Sequence, residues 1–168
     1  MKLQRKITYI LSLSLLMSTS LVQADDSPTV SIKRLKMDTA LKIAQAAIAQ
    51  CRKEGVQVAV TVVDRGGHAQ AVLRDTLAMD ITLPISKQKA HTAMSFNTPL
   101  SQLEGRFTKP FQVPKLDGLI VGAGGIPINI AGNIMGGIGV SGAPSGKTDE
   151  KCAEAGLKAV RDDLELDN

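Results

Sequence analysis

The sequence predicts an α+β domain, an antiparallel sheet with helices at both ends. Three observations carry that reading. Helical apolar periodicity occupies residues 37–54 and returns after Thr148. Between these ends lie short β-branched and glycine-rich runs. The connections between the last of those runs are too short for the crossover that a parallel pair needs.

The N-terminus comes first. Lys2, Arg5 and Lys6 precede an apolar run, Ile7 to Val22, and Val22-Gln23-Ala24 ends it with small residues. This is the pattern of a secretory signal peptide, 1–24, cut after Ala24, which places the mature chain in a periplasm or outside the cell. No cysteine stands at the cut, which argues against a lipoprotein, and no later segment is long and apolar enough to span a membrane. Three of the 20 basic residues leave with the signal and none of the 16 acidic ones does, so the net charge falls from +4 to +1. The basic isoelectric point therefore belongs to the leader and gives no argument for nucleic acid. Tyr9 leaves too, there is no Trp, and only Phe96, Phe107 and Phe111 remain as aromatic platforms for stacking bases.

Residues 25–35 form a polar leader and a short alternating run, Thr29 to Leu35, read as a first strand. The domain proper is expected over 36–166. Met37 to Glu54 is an amphipathic helix with Asp38 as its cap, a stripe of Leu41, Ala44 and Ile48, and Gly55 as its stop. Val56 to Val63 is a buried strand, Asp64-Arg65-Gly66-Gly67 a turn, and His68 to Arg74 the returning strand of a hairpin. Ile85 to Phe96 is the second helix, bracketed by Pro84 and Pro99. Residues 97–117 form a loop carrying Pro99, Pro110 and Pro114. Strands follow near Leu119–Val121, Ile126–Ile130 and Ile134–Val140, the last two joined by a turn at Ala131-Gly132-Asn133. Thr148 is the expected cap of the final helix, with Asp149 and Glu150 in its first turn.

Cys51 and Cys152 lie on the apolar stripes of the first and last helices. They are either two buried thiols or a disulfide that closes a loop of about 100 residues, worth roughly 4–5 kcal/mol.

Two phosphate-loop patterns overlap near the C-terminus. Gly146-Lys147-Thr148 ends like a Walker A loop, but Ser141 stands where its first glycine belongs. Gly137-Ile138-Gly139-Val140-Ser141-Gly142 fits G-x-G-x-x-G, with Asp162 and Asp163 about twenty residues on. Both need a βαβ unit, and a hairpin strand followed by one last helix cannot build one. Glycines in a strand instead allow another backbone or a flat ligand to come close, and subunit packing is the simplest use of that room.

The stretch GGIPINIAGNIMGGIGVSG, followed by TDEKCAEAGL, resembles the signature end of the GlcG/HbpS haem-binding family, also called the haem-degrading domain family and related to the C-terminal domain of PduO-type proteins. VAVTVVDRGGHAQAVLR resembles that family's V-x-V-V-D-x-x-G hairpin, and SKQKAHTAMSFNTP its K-A-x-T-A-x-x-F helix end. The likeness covers residues 36–161. It implies a five-stranded antiparallel sheet of the PAS/profilin-like kind and a homo-oligomer. Some members bind haem, some promote its breakdown, and others are known by gene neighbourhood alone, so the resemblance fixes the fold better than the activity.

Haem requires an axial ligand, an apolar wall and cations for its propionates. His91 is the first choice of iron ligand, because Lys87 and Gln88 share its flank and Ala90, Ala93 and Met94 border it. The bland alternative is a solvated or interface histidine. His68, at the start of the return strand, is a second candidate and more simply a surface residue. Lys87, Lys89 and Arg106 are the candidate propionate partners. Met79, Met94 and Met135 fit core packing better than ligation. A second function class, a module for a small carboxylate, would use the Gly124-Gly125-Ile126 backbone with Lys89 as an anion pocket. A third is an oligomeric domain without a ligand. No ordered triad, zinc spacing, nucleophile elbow or paired carboxylates is legible, and the reading leans away from an enzyme.

Overall fold

The computed structural model describes residues 27–107 and 116–167. The expected signal peptide and its cut after Ala24 lie outside the described residues, as do Pro110, Phe111 and Pro114. Residues up to Ser31 form a unit apart from the one that begins at Ile32. Among its described residues the second unit holds eight elements and one short 3₁₀ turn, Leu100–Gln102: α1 (Met37–Lys53), β1 (Ala59–Asp64), β2 (Ala69–Arg74), α2 (Thr82–Phe96), β3 (Gly125–Ile130), β4 (Asn133–Ser141), α3 (Gly146–Lys158) and α4 (Arg161–Leu166).

The four strands make one antiparallel sheet in the order β2-β1-β4-β3. The α+β class and the helix-flanked antiparallel sheet hold; the five-strand count does not. Two expected strands are missing. Among the described residues, 29–35 have no strand partner, and Ile32 stands exposed with only Leu35 buried. Alternation without a neighbouring strand to pair with leaves the backbone to water. Around Leu119–Val121 the amides bond locally or to side chains instead: Leu119 donates to the Leu116 carbonyl at 3.3 Å. Ile120 donates to the Thr92 hydroxyl at 3.0 Å, Ala123 to Glu104 at 2.8 Å and Gly124 to Glu150 at 3.1 Å. An amide held this way is not free for a ladder.

Three helix starts also differ from expectation. Asp38 lies inside the first turn of α1, whose cap position, Lys36, makes no side-chain hydrogen bond. Pro84 sits inside the first turn of α2, where its missing N–H is one that the helix does not use. Ser145, not Thr148, caps α3; its hydroxyl accepts the Thr148 amide at 3.1 Å. The β3–β4 turn lies where it was read but holds two residues, not three: Asn133 already belongs to β4 and pairs with Ile130. Ala131 and Gly132 take φ of +48° and +85°, the paired left-handed values of a two-residue hairpin turn.

The central strand β1 is buried along its whole length, as a continuous β-branched run between two layers should be. Val60 and Val62 join Ile138, Val140 and Ile128 against α1 and α3. Ala44, Ala47, Ile43 and Cys51 supply the α1 side. The two helices approach closely because Gly156 of α3 lies where a side chain would meet the Ile43 carbonyl at 2.7 Å and Ala47 Cβ at 3.2 Å. There Cys51 and Cys152, both fully buried, form a disulfide across 101 residues of sequence.

The opposite face of the sheet answers the question of the glycines. Gly137 and Gly139 of β4 pair with Val63 and Thr61 of β1 and carry α2 directly. A Cβ on Gly139 would fall well inside contact distance of the Ser86 carbonyl and the Ala90 amide, and one on Gly137 would meet Met94 Cβ at 2.9 Å. The close approach is a helix backbone on a strand within one chain. A buried hydroxyl pair, Thr61 and Ser86 at 2.8 Å, pins the contact. Gly139→Ala should therefore cost at least the upper end of the roughly 1–3 kcal/mol of an overpacked core, because backbone cannot move aside as a side chain can. Gly122→Ala, with nothing within 4 Å, should stay within about 0.5 kcal/mol. Denaturant titrations of the two variants compare them directly.

Candidate functional site

The hairpin β1–β2 and helix α2 meet at one end of the sheet. Asp64 closes the hairpin turn: its carboxylate accepts the Gly66 amide at 2.8 Å and the His68 amide at 3.0 Å, and Arg34 stands 3.4 Å away. Burial pushes this carboxyl up, but the two amides and the Arg34 charge outweigh it and hold it below the ordinary carboxylate range. The turn that results carries Gly67 at φ +81°, pressed against the side of α2.

On α2, Pro84, Lys87, Gln88 and His91 fall one turn apart on the same flank. With Gly67 and Gly118 they line an open groove of about 420 Å³. That is within the range of about 300–1,000 Å³ common for small-molecule sites. His91 is half-buried and its ring edge lies on Gly67, with Met94 alongside. Lys87 is exposed at the rim. Among the described residues no hydrogen bond engages the His91 imidazole. The groove thus offers an imidazole without a partner among the described residues, a lysine at the rim, and the surfaces of Gly67, Gly118 and Pro84.

The other residues singled out from sequence do not join this groove. His68 is exposed on the far side of the turn, with Nδ1 3.5 Å from Asp64. Arg106 is exposed in the loop after the 3₁₀ turn. Lys89, two residues from Lys87, points into the domain. Its ammonium lies 2.9 Å from Asp149 and 3.0 Å from the Val140 carbonyl, and it is buried. Met135 is buried in the main core, Met94 packs with Val63 and Ala90, and Met79 is largely exposed.

Gly124 and Gly125 do lie beside Lys89 in an anion-binding arrangement, but the chain's own carboxylates fill it. Glu150 accepts the amides of Gly124 and Ser101, each at 3.1 Å, and the Ser101 hydroxyl. Asp149 accepts the Ala143 amide at 3.0 Å as well as Lys89. Burial pushes the Asp149 carboxyl up, opposed by the Lys89 charge and by the Ala143 and Gly142 amides. The GKT loop meets the same fate: two amides that precede it are turned inward to Asp149, and Lys147 faces solvent. An anion pocket for an external carboxylate is therefore not available here.

Sequence reading found the helical flank of the groove but not its other walls. Gly67 was legible only as a turn residue and Pro84 only as a helix boundary, and Gly118 was given no role. The partnership of Asp149 and Glu150 with α2 and with Gly124 had no local signal at all, since the partners stand 60 and 26 residues apart.

Comparison with known proteins bears on this geometry. The model of the family described as "Haem degrading protein HbpS-like" matches residues 35–158. A crystal structure of a double mutant of HbpS from Streptomyces reticuli is 36% identical, with a TM-score of 0.76, over 83% of this chain and 95% of that one. The structure titled "PduOC:Heme Complex" is 22% identical with a TM-score of 0.69, over 76% of this chain and 95% of that one, a likeness of fold. A curated relative, the "Uncharacterized 15.0 kDa protein in dhaT-dhaS intergenic region" of Citrobacter freundii, is 28% identical over 116 residues, 66% of this chain and 82% of its own length.

Proposed function

Because the chain belongs to the HbpS-like family, we propose that it is an exported haem-binding protein whose task is to hold, buffer or hand on haem, and that the groove beside His91 is its site. The observation that carries this reading is the unengaged imidazole of His91 in an open groove with Lys87 at its rim. An imidazole is a common axial ligand, and a lysine at the rim suits a propionate. Bound haem would supply an iron centre; the chain's part is to present one nitrogen to it, shield one face with the Gly67 turn and Pro84, and neutralise a carboxylate with Lys87. The heme complex of PduOC, with the same fold, supports the ligand class.

Export rests on residues 1–24 and agrees with the Cys51–Cys152 disulfide, which suits an oxidising compartment. The family likeness also favours a homo-oligomer.

A hemin titration of residues 25–168 tests the function. The segment has neither Trp nor Tyr, so its own absorbance interferes little. We expect a saturable, shifted Soret band at one haem or fewer per chain. His91→Ala should weaken binding by at least about 10–100-fold, the loss that even an outer partner of a metal ligand causes. A spectrum identical to free hemin would remove haem binding, and an unchanged His91→Ala spectrum would move the site elsewhere.

A further inference from the structure

The imidazole of His91 is held by no hydrogen bond among the described residues, yet it has a defined place. What defines it is a missing side chain. An ideal Cβ on Gly67 would stand 2.5 Å from His91 Cδ2 and 3.0 Å from its Nε2, with the Met94 methyl 3.4 Å away. Real Cβ atoms do not come so near a ring carbon, so the edge of the ring occupies the very space that glycine vacates. Gly67 also has φ +81°, a conformation that side-chain-bearing residues avoid. The turn is held in that shape from below by the Asp64 carboxylate, through the Gly66 and His68 amides.

From this geometry we infer that Gly67 is a positioning residue for His91: its bare, left-handed backbone seats the Cδ2–Nε2 edge of the imidazole against the β1–β2 turn and so sets the side from which Nε2 can be approached. The inference deepens the haem-binding reading and rests on it for the identity of the ligand, but not for the placement of the ring. A side chain at position 67 acts twice. It pushes the ring out of its seat, and it stands beside Nε2 where a ligand atom must pass. Asp64 belongs to the same device, one step removed, because it fixes the turn and touches no ligand.

The test must separate ring placement from backbone strain. Gly132 supplies the control: its φ is +85°, and a Cβ there would meet nothing within 4 Å. Gly67→Ala and Gly132→Ala thus share the strain and differ in the ring. The chain has two histidines, so the imidazole signals in nuclear magnetic resonance are assigned with one His68→Ala variant. In the unaltered protein we expect a strong nuclear Overhauser contact between the Gly67 α-protons and the His91 Cδ2 proton. Gly67→Ala should displace the His91 ring signals, while Gly132→Ala leaves them in place. In the hemin titration Gly67→Ala should weaken binding by about tenfold or more, as loss of a partner that orients a metal ligand does. No Overhauser contact in the unaltered protein would overturn the inference even if Gly67→Ala failed to fold. So would a folded Gly67→Ala with unmoved His91 signals, or with unaltered hemin affinity and Soret band where the parent binds. Should the parent bind no hemin, the haem reading falls while the ring signals still decide the role of Gly67.

Discussion

Opening the Cys51–Cys152 disulfide should lower the stability of the domain by roughly 4–5 kcal/mol, the largest single loss expected from a change that leaves the sequence intact. The size comes from the separation of 101 residues, which ties the two ends of the domain together in the unfolded chain. In the folded state the same bond clamps α1 to α3, where Gly156 already lets the helices touch. A total stability of about 5–15 kcal/mol leaves little in hand after such a loss. Denaturant unfolding with and without reductant measures it, and a Cys51→Ala, Cys152→Ala double variant checks that reductant acts through this bond alone. An equal midpoint in both conditions, or two alkylatable thiols in unreduced, denatured protein, would refute the expectation. Both sulfurs are buried, so reduction of the native protein should wait on its opening.

Lys89→Met is the second large effect. It removes the ammonium from a buried ion pair and leaves the Asp149 carboxylate facing apolar surroundings and the Val140 carbonyl. Breaking a buried pair from one side costs about 3–5 kcal/mol, mostly through the stranded charge. The pair also joins α2 to the start of α3, so the damage should spread to the Gly124–Glu150 contact next to it. Adding Asp149→Asn should recover part of the loss, because a neutral amide can stay buried and still accept the Ala143 amide. The pH dependence has a definite sign. Burial already pushes the Asp149 carboxyl up while Lys89 pulls it down, so removing Lys89 raises it further. A raised carboxyl favours the folded state when protonated and loses that advantage as pH rises through its folded value. The deficit of Lys89→Met against the parent should therefore be greatest at neutral pH and narrow as the solution is acidified. Thermal unfolding across that range reads it; a deficit that widens in acid would refute it.

Much of the fold could be read directly. The stripe of Ala44, Ile48 and Cys51, the continuous run from Val58 to Val63, and the Ala131-Gly132 turn are local patterns, and local patterns encode helix, buried strand and hairpin without help from distant residues. The flank of Lys87, Gln88 and His91 is of the same kind, since three residues one turn apart on a helix must share a face. Residues 29–35, which alternate, and 119–121, a short apolar run, were misleading because such patterns record a preference for a strand and not the presence of a neighbour. In the second run Thr92 took the Ile120 amide, and just beyond it Glu104 and Glu150 hold those of Ala123 and Gly124.

By itself, then, the sequence determined the helical ends, the hairpins, the family likeness and one face of the groove, all of which depend on residues close together in the chain. Tertiary structure alone decided what the glycines of β4 are for, that Lys89 is spent on Asp149, that Gly124 serves Glu150, and that Gly67 meets His91. These are pairings across 24 to 60 residues, and each depends on which surfaces fold against each other. Burial makes such pairs obligatory once they meet, because an amide, a charge or a ring edge removed from water must be satisfied where it lies. No periodicity along the chain announces which partner that will be.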